Sequence, residues 1–139
     1  MSKMKPAQRR EWLLQYLLSK QAAFSSTLKF SINVLDAHLV DQYAQATGAP
    51  VKIMLIGADK SSTLGSDLAA LYADGMLKRG IAGVPAVTAG GGWPKWVYSY
   101  SLASFEAAAA RYNTTFDHIR ETIKATGRVF DFNSVLTTA

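Results

Sequence analysis

Along the chain the apolar positions change period several times, and each change marks a new element. From Gln8 to about Phe24 the sequence is rich in helix formers, holds neither glycine nor proline, and follows Pro6, a residue suited to a first helical turn. This predicts helix one. Leu35, Leu39, Tyr43 and Ala46 then fall on one helical stripe that ends at Gly48, with Asn33 as the cap, Asp36 three residues on, and Pro50 barring continuation. Val51 to Ile56 is short, β-branched and apolar apart from Lys52, and reads as a buried strand. From Ser61 the helical period returns. Leu64, Leu68, Leu71 and Tyr72 take the inner face, while Ser62, Thr63, Ser66, Asp67 and Ala70 fall largely on the outer one, until Gly75 stops the third helix.

The next stretch alternates. A short strand over Met76 to Ile81, a glycine-rich loop from Gly83 to Pro94 tipped by Gly90, Gly91 and Gly92, and a second strand from Lys95 to Leu102 predict a hairpin. Period two puts Trp96, Tyr98, Tyr100 and Leu102 on one face and Lys95, Val97, Ser99 and Ser101 on the other. Trp93 and Trp96, beside proline, read as apolar anchors of the loop. A long final helix spans about Ala103 to Thr126, with Gly127 as its stop. On it Phe105, Ala109, Tyr112, Phe116, Ile119 and Ile123 form a heptad seam, which serves as a dimerisation surface or packs on its own domain. Beyond it, Val129, Phe130 and Phe132 alternate weakly and cover the core.

A chain of 139 residues builds about one core. With 49% apolar and 18% charged residues it is too hydrophobic for a disordered tail and too interrupted for a membrane protein. The absence of cysteine excludes disulfide scaffolds and cysteine-ligated zinc. Net charge is +5, and it is local: residues 1–30 carry six Lys/Arg against one Glu, residues 31–77 two Lys against five Asp, and residues 78–100 only Lys78, Arg79 and Lys95. Two basic segments flanking an acidic middle favour an acidic partner. Lys3, Lys5, Arg9 and Arg10 precede the apolar run Trp12–Leu18 as in a signal peptide, but Glu11 and Gln15 interrupt the run and Lys20 and Gln21 follow it, so a cytoplasmic protein with an ordinary first helix is expected.

The order helix, strand, helix, strand, glycine-rich loop, strand resembles the winged helix-turn-helix superfamily. The likeness is carried by Leu64-Gly65-Ser66-Asp67-Leu68-Ala69-Ala70-Leu71-Tyr72-Ala73-Asp74-Gly75-Met76-Leu77-Lys78-Arg79, which looks like a recognition helix, its glycine turn and the basic start of a wing. It covers roughly residues 33 to 102. The supporting helix is either helix two, with the strand inserted after it, or a mere turn at Gly57-Ala58-Asp59-Lys60. The implied fold is α+β, with an N-terminal basic helix or arm over 1–32, a winged core over 33–102 and a long C-terminal helix over 103–139.

What the resemblance implies is double-stranded DNA binding by a homodimer, as a repressor-like transcriptional regulator or a replication or partition factor of a phage or plasmid. A winged module that binds protein is the alternative. A helix of about 12 Å diameter fits the major groove, and small polar side chains let its backbone approach the bases. The candidate DNA contacts are Ser61, Ser62, Thr63 and Ser66 at the helix start, Lys60, Lys78, Arg79 and Lys95 on phosphates, and Arg9 and Arg10, which with Lys3 and Lys5 are either an arm along the backbone or a solvated helix end. Asp67 sits awkwardly among them. No phosphate-cradle or nucleophile-elbow pattern occurs, so no catalysis and no cofactor are expected. His38 near Asp41, and His118 near Asp117 and Glu121, read as solvated helix residues and not as metal ligands.

Overall fold

Helix α1 (Pro6–Phe24) forms the spine of the computed structural model, which describes residues 3–54, 59–90, 93–128 and 130–132. Its Leu13, Leu14, Leu17, Leu18 and Ala22 are buried, and α3, α5, α6 and β2 all pack on it. The remaining described elements are α2 (Ala37–Thr47), α3 (Ser62–Ala73), β1 (Leu77–Gly83), a one-turn α4 (Ala86–Gly90), β2 (Trp96–Leu102), α5 (Phe105–Ala110) and α6 (Phe116–Thr126). The class is mixed α and β, with a small antiparallel sheet.

Caps explain where most helices begin. The Asp36 carboxylate accepts from the Leu39 amide at 3.1 Å and starts α2. Asn33, expected as that cap, lies one turn upstream, where its Oδ1 accepts from Leu35 N at 2.8 Å. Ser61 caps α3 through Leu64 N at 3.3 Å. Gly75, at φ +79, turns the chain from α3 into β1, a conformation that side chains resist.

In the sheet, β1 and β2 pair antiparallel from Leu77 opposite Leu102 to Gly83 opposite Trp96. Ile32 adds a single bridge to Tyr100, exchanging both backbone bonds at 2.8 and 2.7 Å. The sheet order is therefore the Ile32 segment, β2, β1. Leu77, Tyr100 and Leu102 join α1 and α3 in the core. Of the strand expected at Val51 to Ile56, the described part makes one bridge, Lys52 to Lys60; Leu55 and Ile56 lie outside the described residues. The glycine-rich loop expected over Gly83 to Pro94 contains α4, and Gly91 and Gly92 lie outside the described residues.

The expected long last helix is two helices. Arg111 to Asn113 turn between α5 and α6, with Asn113 at φ +53, and Thr115 caps α6 by accepting from His118 N at 3.2 Å. The heptad seam is spent inside the domain: Ala109, Tyr112 and Ile119 are buried in its core, and Phe105, Phe116 and Ile123 pack half-buried against it. Phe105 and Phe116 meet edge to face across the break, at 5.2 Å between ring centres. Phe130 and Phe132 are buried as expected, while Val129 lies outside the described residues.

Candidate nucleic-acid interface

Residues 62, 66, 69 and 73 recur at helical spacing on α3, and all four are exposed. They are Ser62, Ser66, Ala69 and Ala73, so the outward face of this helix has no side chain larger than serine. Thr63 is half-buried beside them. Ser61 is not part of this face. It is 3% exposed, and its hydroxyl is used as the cap, which corrects its assignment as a base contact.

The opposite face of α3 holds a polar surprise. Asp67, expected outward, is fully buried on the stripe of Leu64, Leu68 and Leu71 and receives three side chains from other helices. Arg9 donates from Nε to Oδ2 at 2.8 Å and from Nη2 to Oδ1 at 3.2 Å. The Tyr43 hydroxyl donates to Oδ2 at 2.6 Å, and Arg10 Nε lies 3.5 Å from Oδ1. Such a carboxylate is tolerable only because charge and hydrogen bonds meet it from several sides. The hydrogen bond to Asp67 raises the Arg9 pKa above its ordinary value, and burial followed by the same carboxylate raises that of Tyr43. Arg9 and Arg10 thus fasten α1 to α3. They are not a free basic arm, which corrects that expectation.

Beside α3 runs the β1–β2 hairpin. Period two and the register set Leu77, Arg79 and Ile81 on the same face as Tyr98, Tyr100 and Leu102, and Lys78 on the other with Ser101. Arg79 and Lys78, expected to act together, therefore point opposite ways. The Arg79 guanidinium is held between two rings, 3.9 Å from the centre of Tyr72 on α3 and 4.0 Å from that of Tyr98 on β2. The helical stripe puts Tyr72 in the core, yet it is 39% exposed because it stands over this arginine.

At the other end of α3, Lys60 Nζ lies 5.4 Å from the Trp93 ring centre, joining the helix start to the hairpin loop. Trp93 is buried, as an anchor should be, while Trp96 is 45% exposed and meets Tyr98 edge to face. Lys52 sits directly opposite Lys60, with reciprocal backbone bonds of 2.7 and 2.8 Å. Like charges facing each other across a strand pair repel, so the arrangement favours an anion nearby. In the sequence Lys52 shows only as an interruption of an apolar run, which hides its place in this group.

Lys52, Lys60, Lys78, Arg79 and Lys95 are all exposed, and the ion pairs among the described residues engage Arg9, Arg10 and Arg111 instead. Among the described residues no group of three or more His, Cys, Asp or Glu could hold a metal ion, and no helix is long and apolar enough to cross a membrane. His38 and His118 are exposed, the latter with its ring edge to face with Phe130 at 5.4 Å. Set against known proteins, the chain matches no family model, no curated protein and no solved structure.

Proposed function

We propose that the chain is a winged-helix protein of the cytoplasm that binds double-stranded DNA, with α3 in the major groove and the β1–β2 hairpin against the adjoining backbone. The fold reading rests on the order α1, the Ile32 bridge, α2, α3, β1, hairpin loop, β2, together with a sheet in which β2 lies between the Ile32 segment and β1. In this order α2 is the supporting helix, and the Lys52–Lys60 bridge is the insertion between it and α3.

One observation carries the DNA reading: a helix whose outward face is Ser62, Ser66, Ala69 and Ala73, bordered by exposed lysines and an aromatic-held arginine. Small side chains bring the helix backbone within reach of base edges, and the cations supply affinity by displacing counterions from phosphates. The contact set becomes Ser62, Thr63, Ser66, Lys52, Lys60 and Arg79, since Lys95 alternates onto the face of Val97, Ser99 and Ser101, away from Arg79. Lys78 and Lys95 take part only where DNA reaches the far face of the hairpin. Occupying the site blocks polymerase sterically, so a repressor-like regulator is the first role we propose, and a phage or plasmid replication or partition factor the second. Neither needs catalysis or a cofactor. Pairing of two copies would use a surface other than the α5–α6 seam and would show as half-sites about 10 bp apart.

A second reading has its own support, since Ile81, Trp96 and Tyr98 are exposed together on one hairpin face, as in a protein-docking module. Salt separates the two. Duplex affinity should fall steeply from about 50 to 200 mM salt, and replacing Lys52, Lys60 and Arg79 by alanine should lower the slope by about one for each phosphate-bound cation removed. Retention on duplex DNA that ignores both salt and the triple variant would reject the DNA reading.

A further inference from the structure

A cavity of about 350 Å³ opens between α1, α2, the end of α6 and the Phe130–Phe132 segment, away from the hairpin and from α3. Its walls are aromatic. Trp12 and Tyr16 stack at 5.3 Å between ring centres with planes 27° apart, and Phe130 and Phe132, edge to face at 4.8 Å, close another side. Burial pushes the Tyr16 phenol up to about 12, in keeping with a wall shielded from water.

The charged groups in the lining are few and of one sign. Lys20 and Arg128 contribute cationic ends, and no carboxylate lines the cavity among the described residues. Asp36, the acid that acts on Tyr16, is turned to cap α2. Lys20 Nζ stands 5.6 Å from the Tyr16 ring centre, so one cation hangs over an aromatic wall.

Flat aromatic walls with two cationic residues and no carboxylate among the described lining residues describe a single kind of guest. We propose that this cavity binds a small, flat, mostly apolar molecule carrying one anionic group, the rings lying among Trp12, Tyr16, Phe130 and Phe132 and the anion meeting Lys20 or Arg128. The inference does not depend on DNA binding, and its test uses no nucleic acid.

The probe is 1-anilinonaphthalene-8-sulfonate, added to the full folded chain with near-UV circular dichroism monitored alongside. Expected is saturable one-site enhancement of fluorescence, competed by 2-naphthoate and at least about tenfold less well by uncharged 2-naphthylmethanol. Lys20→Ala with Arg128→Ala should erase that preference for the acid while leaving the alcohol's competition unchanged. Ala23→Leu, an exposed cavity position, should weaken both competitors without lowering the melting temperature. Absence of saturable binding, equal competition by acid and alcohol, or binding indifferent to Ala23→Leu would each overturn the proposal.

Discussion

The guanidinium of Arg9 in α1 and the carboxylate of Asp67 in α3 are joined by two parallel hydrogen bonds, Nε–Oδ2 at 2.8 Å and Nη2–Oδ1 at 3.2 Å. The acid is fully buried, whereas 17% of the arginine side chain remains exposed. The two partners are therefore unequal in cost. Asp67→Asn strands Arg9 and Arg10 against an uncharged amide and should destabilise by about 3 kcal/mol. Arg9→Met leaves Arg10 and the Tyr43 hydroxyl on the acid and should cost about 2 kcal/mol, and Tyr43→Phe about 1 kcal/mol. Urea unfolding of the three variants measures the order, and equal losses would contradict it.

Alkali should loosen the fold before it loosens an ordinary protein of this size. Burial, with the Glu11 carboxylate adding to it, pushes the Tyr112 phenol up to about 12, and Tyr16 is also held at about 12. Above the ordinary tyrosine value of 10.0 the unfolded chain sheds these protons while the folded chain keeps them. Stability is then whole below pH 10 and drains away as pH rises toward about 12. Absorbance at 295 nm should show these tyrosines ionising late and together with unfolding. Normal titration near pH 10 in the folded chain would speak against buried phenols.

Ile119 is fully buried, and its neighbours Phe116 and Ile123 pack toward the same core. Ile119→Ala should cost about 3 kcal/mol through the cavity it leaves. Because the seam packs within one chain, that cost should be the same at every protein concentration. A cost that changes with concentration would mean that the seam joins two copies after all.

Much of the architecture is legible in the sequence because period and caps speak locally. The stripe Leu64, Leu68, Leu71, the turn at Gly75 and the alternation through Tyr100 and Leu102 all read directly as α3 and the hairpin. What escapes such reading is long-range. Asp67 lies three residues from Leu64 and four from Leu71, on the inner stripe, but a carboxylate there is credible only once Arg9 and Tyr43 arrive from other helices. The split between α5 and α6 does have a local signal, Asn113-Thr114-Thr115, a left-handed stop followed by a cap, which an unbroken heptad spacing conceals. At the candidate interface, Ser62, Ser66 and Lys60 follow from pattern. The Tyr72–Arg79–Tyr98 stack does not, since its three members come from a helix and two strands.

That stack sets Arg79 apart from its neighbour Lys78. Held between two rings, Arg79 loses little freedom on meeting a phosphate or a base edge, whereas Lys78 points to the far face of the hairpin. Arg79→Ala should weaken duplex binding and reduce the salt slope by about one, while Lys78→Ala changes both less. Tyr98→Ala should reproduce part of the Arg79 loss by releasing the guanidinium. Equal effects of the two alanine variants, read by fluorescence anisotropy, would remove the special role of Arg79.

Selection of bound sequences from a random duplex pool, run with the wild-type chain and with Ala69→Glu in parallel, reads the proposed role of α3 without assuming a target. Ala69 is exposed in the middle of the small-residue face, so the substitution should leave stability within about 0.5 kcal/mol and change only what that face can touch. The wild type should enrich a defined motif and Ala69→Glu, still folded, should enrich none. Enrichment of the same motif by both, or of no motif by the wild type, would contradict a DNA-reading α3.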